Sequence, residues 1–441
     1  MIEKYLVKKI TEPVDWKVTV PGSKSMTNRA LLMAVLSVGT VRVEGVLFSD
    51  DSRHFLACLV ALGFTVEIEE EKKCVTVTGC GGRIPRGEAV IDVGSAGTAA
   101  RFLAAMLGFS DGCYEIRCSA QMKRRPMAEL FDLLSGAGAK ITFLEEEGHL
   151  PVRITGCRYA RADKTAGETP RELSLDITKS TQFLSALLLI APMVPEGMKI
   201  HITSEKTDGS YIRITRKMMQ EFGVSVAFDG RDYEVPCRSS YRKETYMVEP
   251  DMSAACYFYA AAAVTGGRAL VRHVHMDNTQ GDLRFLEVLE HMGCTADDTP
   301  EGVLVTGPAD GALRGITVNM NDFSDQALTL AAIAPFADAP VRIEGIGHIR
   351  GQECDRIHAI QTNLTALGIR CEEEETAATI YPGSPHGGSV ETYDDHRVAM
   401  AFSLVGLRTD GIVIENPACC RKTFENYFTV LSELTGKTVE S

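Results

Sequence analysis

Six glycines at nearly even intervals constrain this chain more than any other feature of it. Gly63, Gly138, Gly223, Gly293, Gly368 and Gly436 stand 68 to 85 residues apart. Each closes a helical segment whose apolar residues recur three and four apart, and strand-like residues follow all but the last. A glycine just past a helix takes up the left-handed cap conformation that a Cβ disfavours. Self-similarity at a fixed period outranks other fold signals, so the chain reads as six copies of one unit.

A second helical series interleaves with the first. Apolar segments open on small or polar residues at 25–38, 97–107, 180–194, 251–264, 325–337 and 395–407. They are apolar nearly all round (Ala260 to Ala263 is typical), which predicts helices buried inside a domain. The glycine-capped series is amphipathic instead; Phe55, Leu56, Leu59, Val60 and Leu62 form one stripe behind Asp50, Asp51 and Ser52. The sixth copy has no room after Gly436 for closing strands, while the N-terminal strand 5–10 has no unit of its own. The N-terminus is therefore expected to complete the last domain. One domain combines residues 1–20 with 248–441, the other spans 21–247, each holds three units, and a cleft between them is the expected active site.

The formal charge of −13 argues against a nucleic-acid partner, which would demand a basic face. Any anionic ligand must be drawn by a local group of cations against that field. No membrane span is expected, since the long apolar run 183–194 falls short of the ~20 residues a bilayer requires. The N-terminus mixes charges among its apolar residues, against a signal peptide. Thirteen cysteines with no C-x-x-C pair predict a reducing cytoplasm and no zinc site.

Cations gather where the buried helices begin. Lys24, Ser25 and Arg29 open the first, after the strand-like Val18-Thr19-Val20 and a Pro21-Gly22 turn. A helix start offers unpaired N–H groups and the positive end of its dipole, so this segment suits an anion. A Walker phosphate loop is excluded, because Ser23 and Val18 stand where it needs glycines. Gly97 and Arg101 open the second helix, Ser180, Thr181 and Gln182 the third, Asp325 the fifth, and Asp395, His396 and Arg397 the sixth. Loops add Lys123, Arg124, Arg125, Gln352, Glu353, Arg356 and Lys422. Plainer roles compete at several of these positions: an ion pair for Arg101, solvation for Lys123 and Arg124, packing or capping for His396, and a helix cap for Asp251.

These residues carry a family resemblance. The segments PGSKSMTNRALL from Pro21, GSAGTAARFL from Gly94, RRPM from Arg124, STQFLSALL from Ser180, DMSAACYF from Asp251, SDQALTLAA from Ser324, QECDRI from Gln352, YDDHRVAMAFSL from Tyr393 and RKTFENYF from Arg421 follow in order. Together they resemble the 5-enolpyruvylshikimate-3-phosphate synthase family of enolpyruvyl transferases. The resemblance implies an α/β class, two inside-out domains, each of three β-α-β-α-β-β units. It implies transfer of the carboxyvinyl group of phosphoenolpyruvate to the 5-hydroxyl of shikimate 3-phosphate in aromatic amino-acid biosynthesis. It also implies a cytoplasmic monomer with small-molecule substrates and neither cofactor nor metal.

Carried over residue by residue, the likeness assigns Lys24, Ser25, Arg29, Ser180, Thr181, Gln182, Asp325 and Gln352 to 3-phosphoshikimate. It assigns Lys24, Gly97, Arg125, Gln182, Arg356, Arg397 and Lys422 to phosphoenolpyruvate. Asp325 matches the proton acceptor and Glu353 the proton donor, with Lys24 the alternative donor. An alcohol needs a base as it attacks, and the enol methylene needs an acid. Three positions depart from the family pattern: Gln352 where a Lys is frequent, His348 for an Asn, and Asp208 for a Ser. They leave open an enolpyruvyl transferase for another alcohol, such as the relative that acts on UDP-N-acetylglucosamine. That relative carries a Cys in the loop before its Arg-Pro, a stretch occupied here by Ser119 to Met122. A non-catalytic anion-binding paralogue is the third reading, disfavoured by retention of both Asp325 and Glu353.

Overall fold

A computed structural model describes residues 3–157, 169–309 and 311–436. The chain divides into two compact units, Gly22–Glu249 and the pairing of Met1–Pro21 with Pro250–Ser441. Each has its own apolar core.

Among the described residues there are six small sheets, three in each unit. Five share one topology, seen clearly in Glu88–Asp92 and Cys113–Arg117. These two strands run parallel, joined through the helix Gly97–Gly108, and Val152–Thr155 and then Lys140–Phe143 extend the sheet antiparallel. The sixth sheet is completed from the other end of the sequence. Gly388–Val390 lies parallel to Ile412–Glu415, whose free edge pairs antiparallel with Lys4–Leu6. Asp15–Val18 likewise joins Arg268–Arg272, and Thr245–Met247 returns to Val38–Glu44.

Helices fill the interior of each unit and sheets coat it, the inside-out α/β arrangement. All twelve residues of Gly97–Gly108 are buried, as is everything from Met26 to Leu36 in Lys24–Leu36. Strands bury only alternate residues, as in Asp15–Val18. Each fully buried Leu or Met of these helices contributes on the order of 1.5–3 kcal/mol of transfer free energy. The six repeat glycines all have positive φ, from 62° at Gly436 to 107° at Gly293.

Several sequence-based expectations need correction. Val60 is 49% exposed, so the stripe of Asp50–Ala61 consists of Phe55, Leu56 and Leu59, continued by Leu62 beyond the helix end. The first buried helix stops at Leu36, and Val38 opens a strand with its side chain outward. The segment 180–194 is α-helical only over Thr181–Ile190, and 325–337 only over Ala327–Ile333. In both, a proline (Pro192, Pro335) removes a donor and the chain tightens into a 3-10 turn. Asp325 stands on another such turn, Ser324–Gln326. No helix among the described residues is long and apolar enough to cross a membrane.

Candidate active site

In the unit Gly22–Glu249, side chains knit the openings of three buried helices together. Asn28 Nδ2 donates to Thr98 Oγ1 at 2.8 Å, Arg101 Nη1 to Gln182 Oε1 at 3.1 Å, and Arg29 Nη2 to Ser185 Oγ at 3.4 Å. Ser180 caps its helix by accepting from the Gln182 N–H at 3.2 Å, beside Thr181. Ser23, which precedes Lys24, makes no such side-chain cap, and its hydroxyl lies 3.2 Å from that of Ser25.

Arg29 is the most telling residue here. Its side chain is buried, and its partners are Thr215 Oγ1 at 2.8 Å, the Ser25 carbonyl at 2.9 Å, Ser185 Oγ and the Tyr211 carbonyl. None is a carboxylate, although Phe102 and Tyr211 offer ring faces. Burial lowers its pKa from 12.5 to about 10, against smaller opposing effects of Tyr211 and Tyr246. A buried guanidinium without a counter-ion is costly alone and suits an anionic ligand.

Gly97 permits the approach of a second cation. A Cβ there would lie 2.4 Å from Arg125 Nη1 and 2.7 Å from Arg101 Nη1. Arg125 Nε is sealed from solvent without a hydrogen-bond partner. Lys24 Nζ stands 3.5 Å from Asp51 Oδ2, a buried carboxylate whose other oxygen has no partner. Asp51 reads in the sequence only as part of an acidic helix start, which hides this role.

The second unit presents a different arrangement, in which cations and acids interlock. Arg356 is 1% exposed and binds three carboxylates. Its Nε lies 2.8 Å from Asp395 Oδ2, Nη1 3.0 Å from Asp325 Oδ1, and Nη2 3.0 Å from Glu353 Oε2. Nη1 also donates to Gln352 Oε1. Arg397 Nη2 reaches Asp325 Oδ2 at 2.8 Å, and Lys422 Nζ stands 3.2 Å from Glu353 Oε1. Burial would lower the Arg356 pKa, but the charges of Asp395, Glu353 and Asp325 outweigh it and raise the value.

Local backbone explains how these groups are aimed. Tyr393 and Asp394 both have positive φ, 53° and 56°, turning the chain sharply before His396–Arg408. Asp395 caps that helix, accepting from the Arg397 N–H at 2.9 Å. Asp251 is the cap expected of it, accepting from Ala254 N at 3.0 Å. Lys123 pairs with Glu145 at the surface, and His396 is buried in its helix. Of the departures noted above, Asp208 is held by Arg213 at 2.9 Å and by the Tyr233 hydroxyl at 3.2 Å. His348 Nε2 lies 2.7 Å from Ser324 Oγ.

One unit thus gathers Arg29 and Arg125 with Lys24 beside Asp51, and the other holds three acids, Asp325, Glu353 and Asp395, among the cations Arg356, Arg397 and Lys422. Cations to hold anionic groups and carboxyls to move protons are the equipment of a group-transfer enzyme. The family model for EPSP synthase (3-phosphoshikimate 1-carboxyvinyltransferase) matches residues 8–431. The 3-phosphoshikimate 1-carboxyvinyltransferase of Trichormus variabilis is 41% identical over 429 residues, 97% of this chain and 98% of that protein. The chain belongs to the EPSP synthase family. The solved EPSP synthase from Acinetobacter baumannii superposes with TM-score 0.79 at 25% identity, covering 99% of this chain and 98% of that one. The enolpyruvyl transferase NikO from Streptomyces tendae shares the fold at TM-score 0.72 and 17% identity, over 98% and 97% of the two chains.

Proposed function

We propose that this chain transfers the enolpyruvyl group of phosphoenolpyruvate to the 5-hydroxyl of shikimate 3-phosphate and releases phosphate. The observation that carries the mechanism is the grip of one buried guanidinium, Arg356, on both Asp325 and Glu353. Asp325 accepts the proton of the attacking hydroxyl as its oxygen bonds to C2 of phosphoenolpyruvate. Glu353 donates a proton to C3, and the double-bond pair becomes the new C3–H bond. The resulting tetrahedral carbon carries phosphate and carboxylate together. Elimination returns the C3 proton to Glu353, re-forms the double bond and breaks the C2–O bond to phosphate, which takes up the proton held by Asp325.

Lys24, Gly97, Arg125, Gln182, Arg356, Arg397 and Lys422 would hold phosphoenolpyruvate. Lys24, Ser25, Arg29, Ser180, Thr181, Gln182, Asp325 and Gln352 would hold shikimate 3-phosphate. The pairing of Asp208 with Arg213 supports this acceptor, because it removes the repulsion a free acid would bring to a phosphate. Thirteen free thiols suit a reducing cytoplasm, and the reaction calls for one chain only.

The direct test is phosphate release from phosphoenolpyruvate with shikimate 3-phosphate, then with other alcohols. Turnover with shikimate 3-phosphate is expected. Release only with another alcohol would reassign the acceptor, and no release with any would leave an anion-binding protein.

A further inference from the structure

We propose that Asp282 is a positioning residue for Asp325, holding it from two directions through Ser253 and Gln326. The proposal rests on the assignment of Asp325 as proton acceptor. Asp282 lies on the 3-10 turn Gly281–Arg284, 43 residues before Asp325, and is buried. Its Oδ2 accepts from the Ser253 hydroxyl and from Gln326 Nε2 at 2.9 Å.

Each contact leads to Asp325 by its own route. Gln326 follows Asp325 on the turn Ser324–Gln326, and its Oε1 accepts from Thr329 Oγ1 at 2.9 Å. With both ends of its carboxamide fixed, Gln326 pins that turn. On the other route, the Ser253 proton points to Asp282, so the lone pairs of its oxygen face outward. Arg397 Nη2 donates to that oxygen at 3.4 Å and to Asp325 Oδ2 at 2.8 Å. Asp282 thereby orients the guanidinium that orients Asp325.

There is also a charge effect. The titratable groups that face Asp282 are Asp325, Arg397 and the thiol of Cys256, which donates to the Asp282 carbonyl at 3.7 Å. A second carboxylate near Asp325 offsets part of the field of Arg356 and Arg397, which otherwise hold that base in its ionised form. Burial, and then the charge of Asp325, push the Asp282 carboxyl up to about 6, with Arg397, Ser253 and Gln326 opposing. Its negative charge is therefore lost on mild acidification, within the range where turnover can be measured.

The test uses the full chain and the phosphate-release assay. Asp282→Asn keeps the volume and removes the charge; it should lower kcat about tenfold while each KM stays within about twofold. Wild-type kcat should fall as pH drops through about 6, and that limb should be missing from Asp282→Asn. Ser253→Ala, which cuts the Arg397 route alone, should lower kcat by less and keep the limb. Wild-type kcat and pH profile in Asp282→Asn would overturn the proposal. Should Asp282→Asn fail to melt cooperatively, an unchanged kcat in Ser253→Ala overturns it instead. A wild-type chain that releases no phosphate fails the parent reading, an outcome distinct from an active wild type with an indifferent Asp282→Asn.

Discussion

Arg356 Nε and Asp395 Oδ2 stand 2.8 Å apart, with side chains 1% and 0% exposed. Removing Asp395 strips Arg356 Nε of its acceptor where water cannot reach it and leaves only Asp325 and Glu353 to balance the charge. Asp395→Ala should therefore cost about 3–5 kcal/mol, and it also deletes the cap of His396–Arg408. The measure is thermal unfolding, where a fall in Tm of about 10 °C is expected. A fall of under about 2 °C would mean that Arg356 finds full compensation elsewhere.

Arg29 presents the reverse situation, a buried cation with no acid among its partners in the described residues. The unfolded chain keeps this guanidinium charged to higher pH than the folded chain does, since burial lowers the folded pKa to about 10. Between about 10 and the ordinary value the unfolded state binds the extra proton, so stability rises with pH there and Arg29 is a liability at neutrality. Arg29→Met is expected to melt no lower than wild type and to lose the stabilisation given by added shikimate 3-phosphate. Retention of the ligand-induced shift would remove Arg29 from the acceptor site.

Gly97 tests the packing of the Arg125 guanidinium. Gly97→Ala places a methyl 2.4 Å from Arg125 Nη1, closer than contact allows. Arg125 must move, and KM for phosphoenolpyruvate should rise about tenfold with a smaller change in kcat. Steady-state kinetics with an unchanged KM would place Arg125 outside that binding site.

The acid–base assignment predicts a fall in turnover of ~10²-fold or more for Asp325→Asn and for Glu353→Gln, each with substrate binding largely kept. Near-normal kcat in either variant would strip that residue of its role.

Much of this molecule is readable from its residues in order. The glycine period was visible because a left-handed cap requires glycine, whatever the surrounding contacts. All-apolar helices declared themselves because their environment is apolar on every side. Helix ends were less legible: Pro192 and Pro335 stop each α-helix through a local clash, though the apolar run continues past them. Val60 sat in the right period yet faces outward, since one stripe can be wider than the surface that covers it. The cations Lys24, Arg29, Arg125, Arg356 and Arg397 could be picked out at helix openings and loops. Some of the contacts around them were less legible: Lys24 meets Asp51 of its own repeat across an intervening strand, and Asp282 reaches Arg397 only through Ser253, juxtapositions that sequence distance does not announce.

The strand Lys4–Leu6, paired with Ile412–Glu415, gives the molecule an order of assembly. The unit Gly22–Glu249 is available for packing well before Ile412–Glu415 is made. Lys4–Leu6 has no edge to join until Ile412–Glu415 has been made about 400 residues later, on the order of tens of seconds at cellular rates of synthesis. Throughout that interval its exposed N–H and C=O groups are open to chaperones, or to the wrong neighbour.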